Sequence, residues 1–444
     1  MSATSRNRLI VLDPALGPNG GHHVALRDRV YRSLVAGEFP GAVDFYGNRK
    51  LSGDLGDRIK PDNFRIFPFF CTEFYHFYTE KASLAAANHY IAVLGDEYLA
   101  ALLRIIDEFS PIKELENSEI DKESEFERLL IFYPAMQWEH LMALHYALRE
   151  IDGTTSGPRL EHRVCLMYNP GRDYSGEVIN TSEWLSYKLA CKPLLVYENV
   201  RLYASDYELA NHFGRLLELN EPLPLHPQYL AEMNKVEFKP LAKSYGQRIG
   251  LYFGDAKIEK GFARLPGLIK KMLPSIGNAD QIIVQYVSSG NCPRILAAEK
   301  KMKEMSAKES RIKLIPKYLS LERLQSTLTS LDVFVFSYDL EHYRNKSSGF
   351  LWMLVDKPCV LVFLGESWLS REASRLGLAS HVCSVQEFSK LIRDSLKGGE
   401  RLSKNQDKPR EKFGDLVAQN YKNDLYRSFF DWLYSESELA PVEV

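Results

Sequence analysis

Short apolar runs alternate with amphipathic stretches along the chain. In the first half, the apolar runs cover residues 8–12, 43–46, 64–70, 129–133, 163–168, 194–197 and 200–203. Short apolar runs bounded by turn residues are typical of buried strands. Stretches with helical periodicity lie between several of these runs. The longest of them covers residues 80–108 and contains Gly95, so it predicts either one helix or two helices divided at Gly95. Strand alternating with helix predicts a largely parallel sheet with helices on both faces.

The same pattern restarts after a proline-rich turn at residues 221–227 and a polar segment that ends at Gly246. Further strands are predicted at residues 248–253, 281–286, 311–314, 332–336, 359–363 and 381–384. The length of 444 residues also suits two α/β domains better than one core. We therefore expect an α/β protein with two Rossmann-like domains facing across a cleft, at residues 1–235 and 236–412. Residues 413–444 carry an apolar helical stripe that we expect to pack across the domain junction.

Charge and cysteine usage narrow the classes of function. The chain has 56 Lys+Arg against 58 Asp+Glu, a formal charge of -2, so we expect no nucleic-acid partner. Six scattered cysteines without zinc-type spacing indicate a reducing compartment, and we expect a cytoplasmic protein. No apolar run reaches the ~20 residues that span a bilayer. Peripheral membrane contact and the oligomeric state stay open. The acidic segment 114–127 and the charged segment 397–412 are interpreted as solvated.

A glycine pair follows the first strand. Gly20 and Gly21 stand between that strand and a helix that begins near His22. Glycines there let the backbone approach a ligand, and a helix start attracts anions. His22 and His23 are candidates for anion binding or acid–base catalysis. The loop matches neither the dinucleotide nor the Walker pattern, so a plain βα turn with capping or packing histidines is the alternative.

Two loops of the second half carry cations at the corresponding place. The first contains Gly254, Lys257 and Lys260, and lysines at a strand end can neutralise a diphosphate. The second follows the strand at residues 331–338 and leads to an apolar helix that Ser347, Ser348 and Gly349 are expected to open. Arg344 and Lys346 precede that helix start, so the pattern predicts a phosphate seat. The alternatives are solvated turn lysines and a capped core helix.

Further candidates follow strands of the first half. Trp138, Glu139 and His140 come after one strand, and Asn169 and Arg172 come after the next. Because they should face the cleft, these side chains are candidates for binding an acceptor sugar or phosphate. For Glu139 and His140, a place on a helix surface is the alternative.

The second half resembles the donor-binding domain of retaining GT-B glycosyltransferases, in a divergent branch of the family-4-like enzymes. The resemblance is carried by Gly254 with Lys260-Gly261, by residues 332–337 and by Lys357-Pro358. The family's usual Arg after the first glycine is replaced by Asp255. Tyr343 and Leu351 stand where its two glutamates would be.

The resemblance implies a hexosyltransferase-type enzyme of polysaccharide biosynthesis, which moves a sugar from a UDP- or GDP-sugar to a glycan, lipid-linked or protein acceptor. Retention of configuration is implied, and the nucleotide sugar is a co-substrate with no other cofactor. We expect no metal, because the chain contains no Asp-x-Asp motif. The implied catalytic residues are His22, His23, Lys260 and Arg344. The implied donor-binding residues are Gly20, Gly21, Gly254, Lys257, Lys260, Tyr343, Arg344, Ser347, Ser348 and Gly349. Two alternatives remain: a catalytically degenerate GT-B subunit that binds a partner glycosyltransferase, and a GT-B sugar-nucleotide epimerase.

Overall fold

The chain divides into two structural units, Met1–Tyr229 with Arg427–Val444, and Leu230–Tyr426. The computed structural model describes residues 8–17, 22–39, 41–51, 61–72, 74, 84–109, 129–151, 160–227, 246–288, 290–355, 357–397 and 429–435. The predicted glycine pair, Gly20 and Gly21, lies outside the described residues, as do the acidic segment 114–127 and residues 398–428.

The first unit contains a six-stranded sheet in which every strand pair is parallel. All residues of its fourth and fifth strands are buried, as expected where helices cover both faces of a parallel sheet. The strands are β1 (Arg8–Leu12), β2 (Ala42–Asn48), β3 (Phe64–Phe70), β4 (Leu129–Met136), β5 (Leu160–Leu166) and β6 (Val200–Ala204).

The described helices that accompany this sheet are α1 (His22–Val35), α2 (Leu84–Phe109), α3 (Trp138–Ile151), α4 (Thr181–Cys191) and α5 (Tyr207–Leu217). Gly95 does not divide α2, which is continuous. A Cβ atom at Gly95 would lie 2.7 Å from Cδ1 of Tyr146 on α3. This glycine therefore permits close approach of two helices rather than a break.

One predicted strand of the first unit was wrong. Residues 194–197 do not form a strand, because Lys192–Val196 is a short 3-10 helix that continues from α4. Pro193 lies in its first turn, where the fixed φ angle of proline suits a helix start. Proline also has no N–H to donate to a strand ladder. The run still contributes an apolar side chain to the core, since Leu194 is buried there.

The second unit repeats the architecture with a second parallel six-stranded sheet. Its strands are β7 (Arg248–Tyr252), β8 (Gln281–Gln285), β9 (Ile312–Ile315), β10 (Val333–Phe336), β11 (Val360–Phe363) and β12 (Ser380–Val382). Its described α-helices are α6 (Leu265–Met272), α7 (Pro293–Lys308), α8 (Leu321–Thr329), α9 (Gly349–Trp352), α10 (Trp368–Arg375) and α11 (Phe388–Lys397).

Helix α9 is only four residues long, shorter than the apolar helix that the sequence predicted. Ser348 precedes it at the N-cap position, but its side chain makes no capping hydrogen bond. The Ser348 side chain instead acts on Tyr338: burial raises the pKa of that phenol, and Ser348 opposes the rise. A single helical turn contributes little dipole, which argues against a phosphate seat built on this helix start alone.

Both sheets have the same connectivity. Their orders are β3-β2-β1-β4-β5-β6 and β12-β11-β10-β7-β8-β9, so each places its first strand beside its second and its fourth. The strand order reverses between the first and fourth strands. In open α/β sheets, ligands bind beyond the carboxyl ends of the strands at this switch point. The loops in the position to bind a ligand therefore follow β1 and β4 in one unit, and β7 and β10 in the other.

The last described helix, α12 (Phe429–Ser435), belongs to the first unit. Phe430 stacks on Phe39 at a centroid distance of 4.4 Å, and Phe429 meets Phe132 of β4 at 5.2 Å. Within the described part of the chain, every helix is too short or too polar to cross a bilayer.

Candidate functional site

The loop after β7 is held in a conformation that needs two glycines. Gly254 has φ 115 and Gly261 has φ 80, a backbone region that L-residues rarely adopt. The N–H of Gly254 donates to Oε1 of Gln285 at 2.8 Å. A Cβ atom on Gly261 would lie 1.9 Å from the carbonyl oxygen of Ser337. The loops after β7 and β10 are therefore in direct backbone contact.

A backbone hydrogen bond also joins these two loops, since the N–H of Asp339 donates to the carbonyl of Glu259 at 2.9 Å. Within the loop after β7, the N–H of Lys257 donates to the hydroxyl of Tyr252, at the end of that strand, at 3.1 Å. We call residues 253–261 and 337–348 the lysine edge. Its backbone is fixed by contacts within the second unit.

Three lysines share the lysine edge. Burial lowers the pKa of Lys260, and the charge of Lys257 lowers it further. Burial also lowers the pKa of Lys346. The charge of Glu259 opposes this decrease, and the charge of Lys257 adds to it. Nζ of Lys260 is 6.0 Å from the ring centroid of Tyr338. The positive charges of these lysines repel one another, and partial burial weakens their solvation. A bound anion would stabilise the charged forms, so the lysine edge has the electrostatics of a phosphate site.

The remaining donor candidates occupy different environments around the lysine edge. Tyr343 is buried, with its ring 4.6 Å from that of Tyr338, and burial raises its pKa. Ser348 is buried, Ser347 is half-buried and Gly349 is exposed. The side chain of Arg344 is exposed, while its carbonyl accepts a hydrogen bond from Nη2 of Arg371 at 2.7 Å.

The corresponding edge of the first sheet has a different chemistry. Asp13 follows β1 and His23 lies in the first turn of α1, with Nδ1 of His23 2.8 Å from Oδ2 of Asp13. Both residues are buried. The other oxygen of Asp13 accepts from the N–H of Ala15 at 3.1 Å, which fixes the carboxylate. The side chain of His22 lies outside the described residues.

His140 lies beside this pair with a defined proton position. Its Nδ1 accepts from the N–H of Gln137 at 3.3 Å, so Nε2 carries the proton that it donates to the Tyr90 hydroxyl at 3.1 Å. Its ring stacks on Phe74 at 4.1 Å, and Phe74 meets His23 edge-on at 5.8 Å. Burial, reinforced by the charge of His23, lowers the pKa of His140 to about 3. His140 is therefore a neutral residue that positions its neighbours. We call Asp13, His23, Phe74, Gln137 and His140 the histidine edge.

The acceptor candidates are not all placed where they can touch a ligand. Glu139 and His140 are each 1% exposed, which argues against direct acceptor contact and also against a place on the helix surface. Trp138 is half-buried at the start of α3. Asn169 accepts from the N–H of Arg172 at 2.8 Å, and the Arg172 guanidinium lies 3.8 Å from the ring centroid of Trp184. This second pair lies in the loop after β5, away from the switch point.

Sequence reasoning placed Asp13, Gln137 and Glu259 in candidate loops but gave none of them a role of its own. The available signal was positional: Asp13 follows the first strand and Gln137 directly follows the fourth strand of the same sheet. Carboxyl ends of neighbouring parallel strands share one edge, so these two positions belong together.

Comparison with solved structures identifies the fold. No family model matches the chain, and no curated protein sequence is similar to it. A trehalose-phosphate synthase (UDP-forming) from Burkholderia xenovorans, solved with glucose-6-phosphate, is similar at TM-score 0.54 and 12% identity, over 96% of this chain and 99% of that one. The trehalose-6-phosphate synthase OtsA is similar at TM-score 0.53 and 14% identity, over 98% and 100%.

A third structure, from a study of transfer with retention by trehalose-6-phosphate synthase, is similar at TM-score 0.51 and 15% identity, over 98% of this chain and 100% of that one. The similarity extends over both parallel sheets and nearly the full length of each protein. The chain has the GT-B fold, with two Rossmann-like domains, as its sequence predicted.

Proposed function

We propose that this protein is a glycosyltransferase that binds a nucleotide sugar at the lysine edge and transfers its hexose to an acceptor. The observation that carries the proposal is the group of three lysines, Lys257, Lys260 and Lys346, at the switch point of the second sheet. A nucleoside diphosphate is the anion whose size and charge suit several ammonium groups beside a glycine loop.

The chemistry follows from that charge. When the bond between the anomeric carbon and the diphosphate breaks, negative charge accumulates on the leaving oxygens. Fixed cations in a partly desolvated place stabilise this charge more in the transition state than in the ground state. Lys260 is the central group in this proposal, because it is more buried than Lys257 and lies beside Gly254 at the end of β7. Arg344, in the adjoining loop, contributes from a more solvated position.

The similar structures narrow the substrates that we propose. One of those proteins is described as UDP-forming and was solved with glucose-6-phosphate, and another is discussed for transfer with retention. We therefore propose a UDP-sugar as donor, a phosphorylated sugar as acceptor and retention as outcome. A GDP-sugar donor and a glycan, lipid-linked or protein acceptor are the broader possibilities that the same test covers. Trp138, Asn169 and Arg172 remain the proposed acceptor contacts, and Tyr343, Ser347, Ser348 and Gly349 the proposed donor contacts.

A turnover panel tests this function. The full chain is incubated with UDP- and GDP-sugars, each with and without hexose phosphates, and release of nucleoside diphosphate is measured together with the sugar product. We expect release that needs one donor, continues in EDTA because lysines provide the positive charge, and falls strongly in Lys260→Met. Lys270→Met, an exposed lysine on α6, is the matched control.

Each alternative gives a different result. A degenerate subunit would bind the nucleotide sugar without cleaving it, so no nucleoside diphosphate would be released. An epimerase would change the configuration of the sugar while it remains attached to the nucleotide. Either result, or a strict requirement for Mn²⁺ or Mg²⁺, would contradict the proposal.

A further inference from the structure

Two arginine side chains converge on one tight turn beside the β5–β6 edge of the first sheet. Arg172 lies in the loop after β5, and Arg215 lies in the last turn of α5. Gly176 belongs to the turn and has φ 88, in the left-handed region. A Cβ atom on Gly176 would collide with Nη1 of Arg215 and would lie 3.7 Å from Nη1 of Arg172. Both guanidinium groups therefore face the same piece of backbone.

This pair of cations is not neutralised by a carboxylate. In the part of the chain that the structure describes, neither guanidinium forms an ion pair. Arg172 donates from Nη1 to the carbonyl of Gly176, and Arg215 donates from Nη1 to the carbonyl of Ser175 at 3.5 Å. Nε of Arg172 is buried, and no acceptor among the described residues reaches it. Burial lowers the pKa of Arg172, and the charge of Arg215 adds to this decrease. A bound anion would stabilise both charges.

A buried histidine lies beside the two arginines. His212 is three positions before Arg215 on α5, so the two residues share a face of that helix. It is 3% exposed, and its Nδ1 atom has no hydrogen-bond partner among the described residues. Burial lowers the pKa of His212 to about 4; Glu208 and Asp173 oppose this decrease, and both arginines add to it. A ligand oxygen would give this nitrogen the hydrogen bond that it lacks. We call Arg172, His212 and Arg215 the arginine cluster.

The loop that carries Arg172 is fixed by its own contacts. The N–H of Arg172 donates to Oδ1 of Asn169 at 2.8 Å, and the N–H of Asn180 donates to the carbonyl of Gly171 at 3.0 Å, which closes the base of the loop. The guanidinium of Arg172 lies 3.8 Å from the ring centroid of Trp184 on α4. This cation–π contact restricts the rotation of the side chain. A guanidinium that is already ordered loses little conformational entropy when it binds an anion.

We propose that the arginine cluster binds a phosphate group, carried by a phosphorylated sugar or present as free phosphate. A phosphate monoester carries nearly two negative charges at neutral pH, which two guanidinium groups balance. The forked N–H groups of arginine match the oxygens of phosphate in geometry as well as in charge. All three residues belong to the first unit, and binding requires neither a nucleotide sugar nor transfer. The inference therefore goes beyond the proposed function.

Fluorotryptophan NMR on the full chain tests this site, because Trp184 lies against Arg172 while Trp138 lies at the switch point of the same sheet. Inorganic phosphate, glucose-6-phosphate and glucose are titrated separately at neutral pH. We expect both phosphates to shift the Trp184 resonance with saturation, and glucose to leave it unchanged. Trp138 should not follow the same curve. Equal midpoints for the two phosphates would show that the phosphate group suffices, and a lower midpoint for glucose-6-phosphate would show that its sugar is also bound.

Three variants remove the polar groups one at a time, and thermal melting checks the folding of each. Arg172→Met should raise the midpoint about tenfold or more, the loss of a hydrogen bond to a charged group. Arg215→Met should raise it about two- to fivefold, because this side chain is exposed, and for the same reason the variant should fold normally. His212→Phe keeps a buried ring and should raise the midpoint about fivefold. Arg149→Met, at an exposed arginine of α3, is the matched control and should bind as the unaltered chain does.

The contrary outcomes are equally specific. A Trp184 resonance that neither phosphate shifts, or that glucose shifts as strongly, would overturn the inference. Unchanged midpoints in Arg172→Met and Arg215→Met would also overturn it, since the anion would then bind elsewhere. So would an equal loss in Arg149→Met, which would indicate a general effect of surface charge. None of these measurements needs a donor, so a failed turnover panel would contradict the glycosyltransferase proposal without deciding the fate of the arginine cluster.

Discussion

The two sheet edges have the same backbone frame and opposite chemistry. Each lies at the reversal of strand order, between the first and fourth strands of a parallel sheet. The lysine edge carries three cations close to loop backbone and partly open to solvent. The histidine edge carries a buried Asp–His pair, stacked rings and an amide oxygen that no donor among the described residues reaches. The fold supplies the place for ligands, and the side chains that each strand end presents decide which ligand suits it.

The two units also differ in the pKa values of their basic side chains. Lowered lysine pKa values characterise the second unit, and buried neutral histidines characterise the first. Each property can be measured by itself, so a substitution at one edge tests the contrast without changing the other edge.

The largest expected effect is acid destabilisation of the first unit. Burial lowers the pKa of His140 and His162 to about 3, and of His212 and His226 to about 4. In the unfolded chain these groups titrate near 6.5, so the unfolded state binds more protons as the pH falls from about 6.5 towards 3. Stability is therefore retained above about pH 6.5 and lost below it, by about 2 kcal/mol for each such histidine at pH 5.

Fluorotryptophan NMR during urea unfolding checks this loss in each unit. Trp138, Trp184 and Trp432 report on the first unit, and Trp352 and Trp368 report on the second. Between pH 7 and pH 5, the midpoint of the first group should fall much further than that of the second. Equal shifts would contradict the contrast between the units.

The next effect is on nucleotide affinity. Lys260→Met should weaken UDP binding by about 1.5–3 kcal/mol, the range for losing a hydrogen bond to a charged group. Isothermal calorimetry measures this loss, and Lys270→Met should bind UDP as the unaltered chain does. His23→Gln should also bind normally. A weaker UDP affinity in His23→Gln than in Lys260→Met would reverse the assignment of the two edges.

The pH dependence of UDP binding sharpens the description of the lysine edge. Because the pKa values of Lys260 and Lys346 are lowered, the cations that hold the diphosphate lose protons below the ordinary lysine pKa of 10.5. UDP affinity should therefore decline as the pH rises, starting below that value. In Lys257→Met, the pKa of Lys260 is no longer lowered by its neighbour, so the decline should move to higher pH. A decline at the same pH in both proteins would argue against a shared site.

The smallest expected effect is that of Arg344. Because its side chain is exposed, the Arg344→Ala variant should weaken UDP binding by no more than about 1 kcal/mol, as is usual for solvated charges. Calorimetry under the conditions used for Lys260→Met provides the comparison. A loss as large as that of Lys260→Met would contradict the ranking of these two cations by their exposure.

The strands were the part of this protein that the sequence predicted best. Residues 8–12 and 64–70 form strands with the predicted bounds, because each is an apolar run that ends at turn residues. The run at 194–197 has the same apolar character but forms a 3-10 helix, since the preceding proline and α4 continue the chain in helical geometry. The composition of the run alone therefore does not decide between a strand and a helix.

The candidate site was less accessible to sequence reasoning. Lysines and glycines beside strand ends can be read directly, which is why Gly254, Lys257 and Lys260 were selected. The partnership of Asp13 with His23 joins residues ten positions apart, and Gln137 becomes notable only because no donor among the described residues reaches its oxygen. Ser348 was expected to cap a helix, and it does lie at the N-cap position, yet its side chain makes no capping hydrogen bond. Pairings across loops are properties of the folded chain.

Hydrogen exchange with and without saturating UDP tests the central claim most directly. The account predicts slower exchange of backbone amides in residues 253–261 and 337–348, the lysine edge, and no such protection around Gln137 and His140. In Lys260→Met, the UDP concentration needed for this protection should rise by at least about tenfold. Absence of protection at saturating UDP, or protection confined to the histidine edge, would contradict the account.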